Sequence, residues 1–328
     1  MSLDSAGWDW GPTGRRGSGG DGAASVTASG FWPVVWKEEL VDGTIELELA
    51  VSAERAFHGV VWRLRDSENY ESFFVRPHQV GNPDSIQYTP VSNRLSSWQL
   101  YHGESFWAPV AFPFDDWFRG RVVFAGTRAE AYVGDLETPV LVTTLRRPVE
   151  SGRFGVLVGG PAVRLRAFEW ERSTVFRSET PAPVPAVAGA LCAWEVSEPF
   201  PESALAGELG APRAWTAIES EPTGLLDISR LHGIRDGRNT VLARTSIETA
   251  APRSQLLEIG FSDRATVYLN GVPLYRGDDA YRSRDYRFLG SIGWFDGLYL
   301  PLHAGANELV VAVSEDFGGW GVHARLAA

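Results

Sequence analysis

The chain has 328 residues, more than one compact core usually takes up, so two domains are expected. It is 44% hydrophobic and 22% charged, an ordinary globular composition, with a net charge of −11 that argues against a nucleic-acid or anionic-membrane partner. One cysteine, Cys192, excludes an intramolecular disulfide and a cysteine zinc cluster, and its apolar neighbours predict a buried, inert thiol. Of thirteen tryptophans, eight lie between Trp8 and Trp117, so the aromatic excess belongs to the first half.

In chain order, Met1 to Gly20 is polar and Gly-rich, without the apolar stretch of a signal peptide. Its Met-Ser-Leu start is compatible with a replaced leader, so the expected location is cytoplasmic or secreted after processing. The glycines of residues 11–23 have no strand before them and no helix after them. They predict an irregular, flexible first 25 or so residues rather than a phosphate loop. No run of eighteen apolar residues occurs, which predicts no transmembrane helix.

Strand patterns then recur almost without helical periodicity. Thr44 to Leu49 alternates apolar and polar residues, the pattern of a strand with one buried and one wet face; Val60 to Leu64 reads as a more deeply buried strand. Arg121–Phe124, Ala129–Val133, Phe154–Val158 and Val163–Trp170 are further β runs between Gly, Asp, Asn and Pro punctuation. Glu179 to Ala190 alternates three prolines with small residues, a linker composition. The expected organisation is therefore a sandwich over 1–178, a linker over 179–190 and a second all-β unit over 191–328. In that unit Trp194–Val196, Gly224–Ile228, Asn239–Ile247, Gln255–Phe261, Ala265–Leu269 and Glu308–Val313 read as strands, and Pro201–Leu209 as a short helix. Asn270-Gly271 is the strongest hairpin signal. The fold class is all-β, two sandwich or jelly-roll domains joined by a Pro-rich linker.

The most site-like stretch is Phe73-Phe74-Val75-Arg76-Pro77-His78-Gln79, with Gln87-Tyr88-Thr89-Pro90 and Trp98-Gln99-Leu100-Tyr101 after it. Aromatic rings can stack on a sugar face while amides, imidazole and guanidinium bond its hydroxyls. If Trp98 to Tyr101 is a strand, alternation sends Trp98 and Leu100 to the core. Arg76, His78, Gln87, Gln99 and Tyr101 then form the ligand face. The leading reading is non-covalent binding of a carbohydrate or similar polyhydroxylated ligand on the first sandwich. An alternative is a metal-independent lyase or cyclase acting on a hydrophobic natural-product-like substrate in an aromatic-lined cleft, with His78 as general acid or base. A non-catalytic scaffold is the third reading.

Other constellations are weaker. The six histidines form no His-x-x-x-His or His-x-His, which argues against zinc. Structural calcium, held by Gly277-Asp278-Asp279 and Asp263, is the only metal the residues suggest. No Gly-x-Ser-x-Gly elbow occurs. Tyr281 to Asp285, Trp294 to Asp296 and Glu315 to Trp320 alternate Arg and acids near aromatics, read as an ion-pair network that locks loops.

Trp36 to Trp170 resembles the concanavalin A-like (laminin-G-like) β-sandwich domains of bacterial sugar-handling proteins. The resemblance is carried by Asp42-Gly43-Thr44-Ile45-Glu46, Tyr70 to Gln79, Gln87 to Pro90, Trp98 to Tyr101 and Arg128 to Val133. That group includes lectins, carbohydrate-binding modules, glycosidases and domains without known activity, so the resemblance implies a fold rather than an activity. Its laminarinase-type members carry Glu-x-Asp-x-x-Glu; Glu46 and Glu48 form no such motif, nor do Glu68, Glu71, Glu104, Glu169 or Glu171. The second unit resembles the galactose-binding-like jelly rolls attached to glycoside hydrolases, through Ala265 to Gly271, Tyr275-Arg276-Gly277, Leu300-Pro301-Leu302 with Gly305 to Leu309, and Glu315 to Trp320.

Overall fold

A computed structural model describes residues 6–18, 23–28 and 31–327. The chain is all-β, with four sheets and one short α-helix among the described residues. It forms two compact units. The first comprises residues 1–91 and 101–182; the second comprises residues 92–100 and 183–328.

In the first unit one sheet runs in the order Trp8–Asp9, Phe31–Leu40, Gly152–Gly159, Phe57–Asp66, Asn69–Val75, Ile86–Ser92, Trp107–Ala108. The other runs Leu141–Thr144, Arg128–Val133, Phe118–Ala125, Gly43–Ala50, Val163–Glu171, Ala24–Thr27, Arg15–Ser18. Alternation sets what each face presents. Ile45, Leu47 and Leu49 point inward, and Trp62 stacks on Phe124 with ring centroids 5.4 Å apart. Glu46 and Glu48 point out, as expected of a solvated face, and there they pair with Arg119 and Arg121, and with Arg166.

Trp8–Asp9, Arg15–Ser18 and Ala24–Thr27 are strands inside the stretch expected to be irregular, because cross-strand partners supply hydrogen bonds that local composition does not reveal. Residues 19–22 of the glycine run lie outside the described residues.

The second unit has a six-stranded sheet in the order Trp215–Glu219, Ala193–Ser197, Thr240–Thr249, Gly305–Ser314, Arg264–Leu269, Val272–Asp278. A four-stranded sheet runs Leu225–Asp227, Gly321–Leu326, Arg253–Ser262, Asp296–Leu302. Val241, Ile259, Phe261, Val311 and Trp320 fill its core, joined by Leu95 from the segment Ser92–Leu100. Asn270 and Gly271 take φ of 50° and 79°, the turn that the Asn-Gly pair predicts. A 3-10 turn, Glu202–Ala204, and one helical turn, Leu205–Glu208, occupy the stretch expected to be helical. Cys192 is exposed, which corrects the expectation of a buried thiol: it lies just before the strand Ala193–Ser197, where its apolar neighbour Ala193 is exposed as well.

Candidate functional site

The composition of one face of the first unit's first sheet follows from register, and Ser72, Phe74, Gln87 and Thr89 on it are buried. Gln87 pairs with Phe74 on one side and Trp107 on the other, and Thr89 pairs with Ser72. Residues directly opposite share a face, so these five side chains form one surface. Ser72 Oγ donates to the Thr89 carbonyl at 2.7 Å. Gln87 Nε2 and Thr89 Oγ1 are buried and have no hydrogen-bond partner among the described residues.

At one end of this face the chain turns. Pro77 opens a 3-10 turn over Pro77–Gln79, where its fixed φ suits the first position. The Arg76 amide donates to the Ser85 carbonyl at 2.8 Å, closing the loop on which Arg76 pairs with Asp84. The Phe57 ring is the hub. His78 lies 5.3 Å from its centroid, the Arg76 guanidinium 5.6 Å and the Phe74 ring 5.8 Å. Both His78 ring nitrogens are shielded and lack a partner among the described residues. Burial, with the charges of Arg76 and Arg55 added and Asp84 opposing, lowers its pKa to about 4. The imidazole is therefore neutral near pH 7, with one nitrogen able to donate and the other to accept. Gln79 and Asn82, joined by their side-chain amides, and Asp84 complete a rim of donors and acceptors.

The structure thus brings Arg76, His78 and Gln87 into one neighbourhood through Phe57 and Phe74. Tyr101 is buried elsewhere, against Phe106 at 5.4 Å and beneath the Arg146 guanidinium. Gln99 belongs to the second unit, fully buried. Its Nε2 donates to the Leu289 carbonyl at 3.0 Å and its Oε1 accepts from Ser262 Oγ at 3.3 Å. Residues 98–100 form a turn rather than a strand, so the alternation expected there does not apply. Phe57 was missed by sequence reading; only strand pairing places it beside His78.

The other constellations resolve as structure. Glu71 is wholly buried and accepts from Tyr88. Arg264 pairs with Glu202 and Asp316, and Arg284 with Asp279 and Asp296, an ion-pair network of the kind expected. The Asp279 carboxylate is thereby taken up by Arg284, and Asp278 Oδ1 accepts from the Ala280 amide at 3.0 Å. Among the described residues no group of three or more His, Cys, Asp or Glu side chains is placed to hold a metal ion. A cavity lies between the first unit's sheets, beside His58 and Phe73. Its volume of about 10 Å³ has room for about one water. No helix among the described residues is long and apolar enough to cross a membrane.

No protein-family model matches the chain, and no curated protein does. Among solved structures, the chain is similar to the carbohydrate-binding module CBM66 from Bacillus subtilis, at 15% identity and a TM-score of 0.40, over 50% of this chain and 95% of that one. It is also similar to a Bacillus subtilis protein of unknown function with a galectin-like fold, at 11% identity and a TM-score of 0.39, over 51% and 90% of the two chains. A putative glycosyl hydrolase from Parabacteroides distasonis matches at 10% identity and a TM-score of 0.35, over 51% and 88%.

Proposed function

We propose that the first unit binds a carbohydrate or similarly polyhydroxylated ligand non-covalently, at the end of its first sheet where Phe57, Arg76, His78 and Asp84 meet. The observation that supports this reading is the clustering of the Arg76–Asp84 pair and the His78 imidazole around the Phe57 ring. A sugar offers vicinal hydroxyls that donate and accept together and a C–H face that packs on an aromatic surface. Gln87, next in line beyond Phe74, extends the polar row. In this reading Gln99 and Tyr101 serve packing. A glycan-array screen of the wild-type chain and of His78→Ala tests it. Binding by the wild type that is lost in the variant, with thermal stability nearly intact, is the expected outcome. A large loss of stability with unchanged binding overturns it.

A further inference from the structure

The two sheets of the second unit have four edge strands, and one of them lacks a guard. An edge strand leaves a row of N–H and C=O groups unpaired, so it normally carries a proline, a break in register or a very short length. Val272–Asp278 has Pro273, and its pairing shifts register between Val267 and Tyr268. Asp296–Leu302 has Pro301, and Leu225–Asp227 is only three residues long. Trp215–Glu219, the other edge of the six-stranded sheet, keeps five residues in unbroken register with Ala193–Ser197 and contains no proline, glycine or lysine. Thr216, Ala217 and Glu219 are exposed.

The direction of its free groups follows from the ladder. In an antiparallel pair, positions alternate between those that exchange hydrogen bonds with the residue opposite and those that do not. The Ser220 amide, just past the strand, donates to the Cys192 carbonyl at 2.9 Å and fixes the phase. Ile218 and Thr216, opposite Trp194 and Val196, therefore bond into the sheet, and Trp215, Ala217 and Glu219 turn their N–H and C=O groups outward. We propose that this edge joins the same edge of a second copy of the chain, antiparallel and two-fold about Ala217, so that two six-stranded sheets become one continuous sheet. That register uses every outward group: Ala217 faces its own copy, and Trp215 faces Glu219 in both directions, each pair exchanging both of its bonds. It also keeps like charges apart. Glu219 is the only charged side chain of the strand, and it faces an indole rather than a second carboxylate. Glu195, opposite Ala217 within the sheet, is already held by Arg244 at 2.8 Å, so it brings no unpaired carboxylate to the joint. A methyl side chain at the two-fold position lets the strands close. The contact is small against the roughly 1,200 Å² or more of a stable interface, so the dimer is weak, with a Kd on the order of 100 μM.

Sedimentation equilibrium of the full chain, from about 5 μM to about 500 μM, tests it. A monomer–dimer equilibrium within that range is expected. Ala217→Pro removes an outward N–H without touching the bonds to Ala193–Ser197, and should abolish the dimer at every concentration with the thermal midpoint kept. Ala217→Lys and Ala217→Glu each set like charges face to face and should weaken association about five-fold. Mixed in equal amounts, these two variants should associate more tightly than either alone, and that comparison decides the matter even where Ala217→Pro does not fold. A chain that is monomeric throughout overturns the proposal and leaves the edge to a strand of another protein. A dimer that persists in Ala217→Pro, or a mixture of the charged variants no tighter than either alone, overturns it as well, since the contact then lies elsewhere or in another register.

Discussion

The Tyr88 hydroxyl donates to the Glu71 carboxylate at 2.7 Å across adjacent strands, inside the first unit and out of reach of solvent. Burial raises the Glu71 pKa; the Tyr88 hydrogen bond and the charges of Arg147 and Arg63 oppose it. The same phenol accepts from the Arg146 amide at 2.8 Å. Tyr88→Phe therefore strands a buried acceptor and a donor at once, and should destabilise the chain by about 2–4 kcal/mol. The check is urea unfolding, with the midpoint falling at an unchanged slope. Glu71→Gln keeps an acceptor for Tyr88 and should be milder. A wild-type midpoint for Tyr88→Phe would show that the hydroxyl is not needed there.

Gln99 is expected to matter for the stability of the second unit. Besides its side-chain bonds, its amide donates to the Gly318 carbonyl and its carbonyl accepts from the Ile292 amide, both at 2.9 Å. Gln99→Ala should cost about 2–3 kcal/mol and leave ligand binding by the first unit unchanged. Gly319→Ala should be worse. Its φ is 115°, and a Cβ there would lie 2.6 Å from the Ser97 Cα. Thermal unfolding and protease resistance of the purified variants read both effects. Loss of glycan binding in Gln99→Ala at unchanged stability would return this residue to the ligand face.

These residues also mark where sequence reading stops. Thr44 to Leu49 and the Asn270-Gly271 turn were legible because their signals are local: alternation in the one, a left-handed pair in the other. Trp98 to Tyr101 has the look of a strand, yet its conformation is set by partners such as Ser262, Leu289 and Gly318, far along the chain. Cys192 shows the same limit, since apolar neighbours do not reveal that the thiol is exposed just before a strand begins. In the candidate site, Arg76 and His78 are close in sequence and were legible together. The ring that joins them, Phe57, arrives from the adjacent strand and was not.

His78→Ala bears on the first-unit site in a second way. Because the wild-type imidazole is neutral down to about pH 4, ligand affinity should be flat from about pH 8 to about pH 5. Titration calorimetry across that range checks it with whichever glycan the array selects. A fall in affinity centred near pH 6.5, the ordinary histidine value, would mean that the ring titrates freely and is not shielded as described.

His58 in the first unit and the buried carboxyls Asp263 and Asp279 in the second should contribute to the acid response with opposite signs. His58 is buried between the first unit's sheets, with Nδ1 unpartnered among the described residues, and burial lowers its pKa to about 4. Between there and the ordinary value of about 6.5 the unfolded chain binds more protons, so this contribution to stability is lost as pH falls through that window. In the second unit, Asp263 and Asp279 are buried and their pKa values are raised to about 6, with burial the largest cause in both. There the folded chain binds more protons between about 4 and 6, so these carboxyls destabilise the fold at neutral pH and the penalty disappears on acidification. Glu315 acts in the same sense, raised by burial and then by the charge of Asp263. Asp263→Asn retains an acceptor for the Asp316 amide, which bonds Oδ2 at 2.9 Å, and removes the charge. It should therefore raise stability near pH 7, by up to about 3 kcal/mol for a shift from 3.8 to about 6, and change little near pH 4. His58→Leu should flatten the acid limb of the first unit instead. Urea midpoints of both variants measured across that range decide it. If Asp263→Asn lowers stability most at neutral pH, the carboxylate is held in its charged form, and the sign assigned to it is reversed.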